Sequence, residues 1–330
     1  MAIKKIKLPP SRTSKSPKVL VIIGPTSGGK TKLGVELAAE LDGEIISADS
    51  RQVYRGMDIG TGKDLAEYRF GRKKIKHHLI DVASPQTRFD LAKYQRLAFQ
   101  AIQAVLSRGR LPIVVGGSGL NLQAVVDNFH LASVKPDTKK RALWEKLSVE
   151  ELFKKISQQK PDFAARLNNS ERHNQRRLIR YLEIIEAGGG LEADQISGQI
   201  SKEKEDSSAP YNFLILGLSC PIEVLKIRIK ERLEDRLNNQ GLIEEVKRLH
   251  QEGVAWRRLI SFGLEYKFVS LYLQGKLSRE QLLEKLNIAL GQFAKRQKTW
   301  FRRWEKQGKK ITWLSENKLA LVIVKKWLKN

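Results

Sequence analysis

Two rhythms of apolar residues alternate along the first part of this chain. Short runs rich in β-branched side chains occur at Val19 to Ile23, Glu44 to Ala48, Lys76 to Ile80, Pro112 to Val115 and, much later, Asn212 to Leu218. Between them, Lys32 to Leu41 carries Leu33, Leu37 and Leu41, and Phe89 to Leu106 carries Leu97, Ala101, Ile102 and Val105. The first pattern is that of buried strands and the second that of amphipathic helices. Their alternation predicts an α/β fold with a parallel sheet flanked by helices, and ligands at the carboxyl ends of its strands. From about Lys135 to Asp206 the strand pattern gives way to a helical, basic segment. It closes on the loose stretches Ala187 to Gly190 and Ser197 to Pro210, which predicts a small inserted helical domain. Two long helical patterns (Ile222 to Glu252 and Ser278 to Lys306), a short strand (Ile311 to Leu314) and a last helix complete the chain. The implied organisation is a basic tail over 1–17, a core split between 18–135 and 207–330, and an insertion over 136–206.

The first strand runs straight into Gly24-Pro25-Thr26-Ser27-Gly28-Gly29-Lys30-Thr31. This is the spacing of a phosphate-binding loop, set between the strand and the helix that such a loop requires. Glycines let the backbone curl so that its N–H groups and a helix N-terminus point at phosphate oxygens. Lys30 would reach the terminal phosphates and the Thr31 hydroxyl would ligate Mg²⁺. The sheet is thus expected to be P-loop NTPase-like, and the ligand a phosphoanhydride.

Composition changes the picture of the partner. With 61 lysines and arginines against 36 acidic residues, the formal charge of +25 exceeds what a small phosphorylated substrate needs and fits a polyanion. The single cysteine, Cys220, excludes a disulfide, and with five histidines it gives no zinc-site spacing. No apolar run is long enough to span a bilayer. The first eighteen residues lack the apolar core of a signal peptide, so a cytoplasmic protein is expected, and nothing demands more than a monomer.

Two basic clusters stand out. Arg172, Arg176 and Arg180 recur at four-residue spacing with Arg177 beside them, and Leu178, Leu182 and Ile185 supply the opposite face. Like charges so spaced destabilise an isolated helix, so either counter-ions scatter over a solvated face or an anion completes the stripe. The second cluster is Lys295-Arg296-Gln297-Lys298 with Arg302 and Arg303, where Gln297 lies on an apolar stripe of Leu286, Leu290, Phe293, Trp300 and Trp304. Those aromatics suit a core better than a base-stacking platform. At the end of the second strand, Asp49-Ser50-Arg51-Gln52 faces the phosphate loop across the crevice, and a carboxylate there suits a general base or a metal ligand. Leu79-Ile80-Asp81 has the form of a weak Walker-B segment, but no catalytic glutamate follows.

Taken in order, Gly24 to Thr31, Asp49 to Tyr54, Gly56-Met57-Asp58-Ile59-Gly60-Thr61, His77 to Asp81, Gly116 to Leu120 and Lys295 to Arg302 closely resemble the tRNA dimethylallyltransferase family. The resemblance spans about Val19 to Arg303. It implies transfer of a dimethylallyl group from dimethylallyl diphosphate to the exocyclic amine of the adenosine just 3′ of a tRNA anticodon. By that resemblance, Thr26 to Thr31 hold the diphosphate with Mg²⁺, Asp49 takes the amine proton, and Arg232 reaches the diphosphate. Ser50, Arg51, Gln52 and Ser118 contact the target nucleotide. Lys140, His173, Asn174, Arg176, Arg177, Arg180, Lys295, Arg296 and Gln297 contact tRNA. The chain departs from the family pattern at Asn121, where a tyrosine is usual, at His173-Asn174 and over Ser261 to Tyr266. Three rivals remain at this stage. A phosphate-loop kinase leaves the basic insertion idle, a non-catalytic RNA-binding ATPase leaves Asp49 to Gln52 unexplained, and a related enzyme prenylating free adenine nucleotides makes the insertion surplus.

Overall fold

The computed structural model describes residues 16–129, 131, 134, 136–188, 211–314 and 318–330. Most of the basic tail and the stretches Gly189-Gly190 and Ser197 to Pro210 lie outside the described residues. In chain order the first unit contains β1 (Lys18–Ile23), α1 (Lys30–Glu40), β2 (Gly43–Ser47), the small hairpin β3 (Arg69–Phe70) and β4 (Lys73–Lys74), β5 (His77–His78), α2 (Leu91–Leu106), β6 (Leu111–Gly116) and α3 (Gly119–Val126). The second unit carries α4 (Thr138–Trp144), α5 (Val149–Gln159), α6 (Pro161–Arg166), α7 (Asn169–Arg172) and α8 (Gln175–Glu186). The chain then returns as β7 (Asn212–Leu218), α9 (Ile222–Asn238), α10 (Leu242–Gln251), α11 (Trp256–Phe262), α12 (Leu264–Leu273), α13 (Arg279–Lys306), β8 (Thr312–Leu314) and α14 (Lys318–Lys329). The two compact units are 1–126 with 209–330, and 127–208.

The six strands pair in the order β5-β2-β6-β1-β7-β8, parallel throughout. Even a strand buried on both faces keeps its twofold alternation. Val19, Val21 and Ile23 pack with α2, α3 and the end of α13 (Phe301, Trp304), whereas Leu20 and Ile22 pack with α1 and α14. A third apolar cluster joins α9 to α13 around Val53, Tyr54 and Met57, and the second unit has its own core of Trp144, Leu152, Ile156, Phe163, Tyr181 and Leu182. Among the described residues no helix is long and apolar enough to cross a membrane.

The expected strands and helices differ from the structure mainly at their ends. The helix expected from Ile222 to Glu252 is two helices, because Gly241 adopts a left-handed conformation (φ 81°) and caps a new one. Ser278 starts α13 through a capping box with Gln281, as a Ser three residues before Gln should. On α13 it is Phe301, not Trp300, that shares the fully buried stripe with Leu286, Leu290 and Trp304.

The amino-terminal edge of the sheet is closed by one buried carboxylate. Arg108 Nε and Nη2 donate to Glu44 Oε1 and Oε2 at 3.0 and 2.7 Å, and His78 Nε2 lies 2.7 Å from Oε2. Burial alone would raise this carboxyl; hydrogen bonds from Arg108 and His78 outweigh it and hold the group at about 2. A depressed carboxylate stabilises the fold above its ordinary value near 4.5, and that contribution disappears as pH falls toward 2. Arg108→Ala is therefore expected to lower the melting temperature by a few degrees at pH 7. The gap to the parent should close between pH 4.5 and 2; a gap independent of pH would contradict this role.

Candidate active site

The carboxyl ends of β1, β2 and β6 face one crevice. The turn after β1 carries Ser27 at φ 57°, and Gly29 at φ 85° caps α1 without a side-chain hydrogen bond. The first-turn N–H groups of α1 therefore point into the crevice with the positive end of the helix dipole. Gln297 of α13 braces this loop. Its Oε1 accepts from Thr26 N at 2.8 Å, while its Nε2 donates to Gly117 O at 2.9 Å. A side chain at position 117 would collide with that amide, so the glycine is needed for close approach. Gln297, expected to touch tRNA, instead spends its amide on two backbone groups of the protein.

Two chambers meet here. The first, of about 440 Å³, is lined by Thr26 to Lys32, Gln52, Gly62, Gly116, Gly117, Arg228 and Gln297. The second, of about 380 Å³, is lined by Ser50, Arg51, Ser118, Arg236, Arg296 and the apolar Phe262, Leu264, Tyr266 and Leu290. Thr26, Asp49, Thr61, Arg232 and Phe293 border both. Asp49 and Arg232, a carboxylate and a cation, thus stand where the chambers join.

Asp49 is fixed by its own turn, since Oδ1 accepts from Arg51 N at 2.8 Å. Ser118 Oγ accepts from Ser50 N at 3.1 Å, tying the ends of β2 and β6. Gln52 accepts from Ser47 Oγ at 2.8 Å and donates to Gly62 O at 3.4 Å. Arg232 Nη2 donates to the same carbonyl at 3.5 Å. Gly62 sits at φ 63°, and a side chain there would strike the guanidinium groups of Arg232 and Arg236. Lys30 Nζ donates to Pro25 O at 2.6 Å. Burial pulls this ammonium down to about 8; Asp49 draws it back up and Arg232 pushes it down.

Several of the expected contact residues lie outside the two chambers or hold partners within the protein. Asp81 is no Walker-B ligand: it pairs with the buried Lys63 ammonium, which also donates to Asp58 and to Tyr54 O. Lys295 lines a separate groove between α9 and α13, outside both chambers. In the insertion the stripe is mostly satisfied from within. Arg172 Nε donates to Leu167 O at 2.7 Å, Arg177 pairs with Glu171 at 3.3 Å, and Arg180 pairs with Glu183 at 3.1 Å. Lys140 pairs with Glu186, His173 Nδ1 lies 2.8 Å from Asn169 O, and Asn174 caps α8 by accepting from Arg177 N. Arg176 is exposed, and no described residue pairs with it. Arg228, Arg236, Phe262 and Phe293 are site residues that sequence reasoning did not assign. The fourfold spacing of Arg228, Arg232 and Arg236 on α9 was the available signal.

A phosphate loop opening on two joined chambers suits a group-transfer enzyme. The model of the IPP transferase family matches residues 52–304, and the chain belongs to that family. It is 43% identical over 297 residues to tRNA dimethylallyltransferase 1 of Syntrophus aciditrophicus, covering 90% of this chain and 93% of that protein. With tRNA dimethylallyltransferase 1 of Geotalea uraniireducens it shares 44% identity over 302 residues, covering 90% and 92%. Among solved structures it is similar to the tRNA isopentenylpyrophosphate transferase of Bacillus halodurans, with a TM-score of 0.65 at 35% identity over 96% of each chain. A eukaryotic dimethylallyltransferase acting on tRNA superposes with a TM-score of 0.75 at 25% identity, covering 96% of this chain and 80% of that one.

Lys30 gives a pH prediction. Below about 8 the ammonium carries the charge that a diphosphate needs; above it the neutral amine does not. The donor's kcat/KM is expected to fall as pH rises through about 8, and Lys30→Arg, charged throughout, should lose that limb. A profile flat to pH 10 in the parent would contradict the assignment.

Proposed function

We propose that this chain transfers a dimethylallyl group from dimethylallyl diphosphate to the exocyclic N6 amine of the adenosine 3′-adjacent to the anticodon. The substrates are tRNAs reading codons that begin with U, and diphosphate is released. The observation that carries this reading is the meeting of two chambers at Asp49 and Arg232, one built on the phosphate loop, the other lined in part by Phe262, Leu264, Tyr266 and Leu290.

The adenine amine is a weak nucleophile because its lone pair is delocalised into the ring. Rate must come from alignment, from stabilising the leaving diphosphate and from removing the proton. The N6–C1 bond forms as the C1–O bond breaks, and the electron pair of that bond departs on the diphosphate. Lys30, Arg232 and the N–H groups at the start of α1 lie where that charge develops. Asp49, at the junction, receives the amine proton. Gln297 and Ser118 hold the loops that present these groups.

Among the described residues no cluster of three or more His, Cys, Asp or Glu side chains could hold a metal ion. That suits Mg²⁺, which is commonly bound through few protein oxygens and the substrate's own phosphates. Thr31, lining the first chamber, would hold it there, and the ion would neutralise diphosphate charge. The target base must leave the anticodon-loop stack, at a cost of about a few kcal/mol, which contacts to the RNA backbone offset.

The test is to supply labelled dimethylallyl diphosphate and, separately, labelled ATP, each with and without tRNA. Only the prenyl label should move, and only to tRNA; transfer of phosphate would make the protein a kinase. Asp49→Asn should keep tRNA affinity and lose at least about a hundredfold in rate, because general-base contributions are typically 10²–10⁴. In the insertion, Arg176→Ala should weaken tRNA binding and flatten the slope of log K against log salt by up to about 0.7–0.9. Arg172→Ala should chiefly destabilise the insertion. A salt slope unchanged by Arg176→Ala would place the RNA elsewhere.

A further inference from the structure

The segment Gly56 to Lys63 carries Thr61 and Gly62 into the donor chamber, yet it belongs to no helix or strand. Its placement depends on a residue in another part of the chain. Glu245 of α10 is buried, with 5% of its surface exposed. Its Oε2 accepts from Asp58 N at 2.8 Å and from Ile59 N at 2.7 Å. Its Oε1 accepts from Gly60 N at 3.1 Å and from the Tyr266 hydroxyl at 2.7 Å. Burial and the adjacent Glu245 carboxylate push the Tyr266 phenol well above its ordinary value, so it remains a donor. Four donors therefore converge on one carboxylate, and three of them are consecutive backbone amides. The same helix grips the start of the segment, where Arg248 Nη2 donates to Gly56 O at 2.8 Å.

A buried charge is costly unless it is fully satisfied, and here every bond it makes fixes the loop or the tyrosine above it. Immediately after Gly60 the chain turns, and Gly62 O accepts from Gln52 at 3.4 Å and Arg232 at 3.5 Å. We propose that Glu245 is a positioning residue for the prenyl donor: it holds the Asp58–Gly60 backbone so that the Gly62 carbonyl sets the direction of the Arg232 guanidinium. The inference rests on the transfer reaction proposed above. Glu245 touches neither substrate nor reacting atoms and acts only through this loop.

The chemistry of the carboxylate makes the test sharp. In Glu245→Gln either orientation of the amide sets its NH₂ against a backbone N–H: those of Asp58 and Ile59 on one side, or that of Gly60 on the other, where only the Tyr266 hydroxyl can turn to accept. Binding of dimethylallyl diphosphate, measured by calorimetry without tRNA, is compared for the parent, Glu245→Gln, Arg232→Ala and the double variant. Glu245→Gln is expected to weaken donor binding about tenfold, as loss of a charge-assisted network should, with tRNA affinity unchanged within about twofold. Arg232→Ala should absorb that effect, so that the double variant binds no worse than Arg232→Ala alone. Additive losses, or donor binding unaffected by Glu245→Gln, would overturn the proposal. If Glu245→Gln does not fold, Tyr266→Phe decides, since it removes one donor and keeps the ring. It should weaken donor binding severalfold, and unaltered donor binding would overturn the proposal equally. Parent protein that binds the donor but never prenylates tRNA would refute the reaction and leave the positioning role to be judged on binding.

Discussion

Cations crowded against one crevice are the constraint on which the site depends. Lys30, Arg228 and Arg232 line the first chamber, and Arg236 stands beside Arg232 with both guanidinium groups against Gly62. Burial, and then Arg232, draws Arg236 down to about 10 despite its pairing with Glu265 at 3.1 Å. Such a cluster is unfavourable in isolation and becomes favourable when a multiply charged anion enters it. The fold tolerates this because rigid neighbours hold the cations: α9 spaces the three arginines one turn apart, and the phosphate loop is braced by Gln297. Asp49 stands at the junction of the two chambers, beside Arg232.

The rest of the core serves that arrangement. The parallel sheet brings the ends of β1, β2 and β6 together, and α13 runs from the apolar cluster around Met57 to the sheet face, passing the phosphate loop on the way. A long helix is suited to this because one side chain, Gln297, can bridge two loops while Leu290 and Phe301 bury on either side of it. The insertion has its own apolar core, and four of its helices start on side-chain caps: Ser148 and Asn168 with capping boxes, Asp137 accepting from Lys139 N and Lys140 N, and Asn174 from Arg177 N.

Much of this was legible in the sequence because the relevant signals are local. The phosphate loop, the β-branched runs and the Asp49 strand end are short patterns whose chemistry depends on neighbours in sequence. The break at Gly241 was missed because the apolar rhythm continues across it, and only the left-handed backbone reveals two helices. The internal partners of the arginine stripe were not legible either. Arg172 and Arg177 find partners at Leu167 and Glu171, a few residues upstream, whereas the buried Glu183 is shared by Arg180 of its own helix and Arg141 of α4. Glu245 carried no signal at all, since an isolated glutamate in an amphipathic helix looks like any solvated residue until the fold delivers backbone amides to it.

In the transfer proposed above, the donor diphosphate sits on the phosphate loop with its prenyl carbon toward Asp49. A crystal structure with a non-hydrolysable thio analogue of dimethylallyl diphosphate tests it most directly. The diphosphate is expected within hydrogen-bond reach of Lys30 and Arg232, with C1 at the junction of the two chambers. A diphosphate bound instead in the basic groove between α9 and α13, or a prenyl group directed away from Asp49, would contradict it.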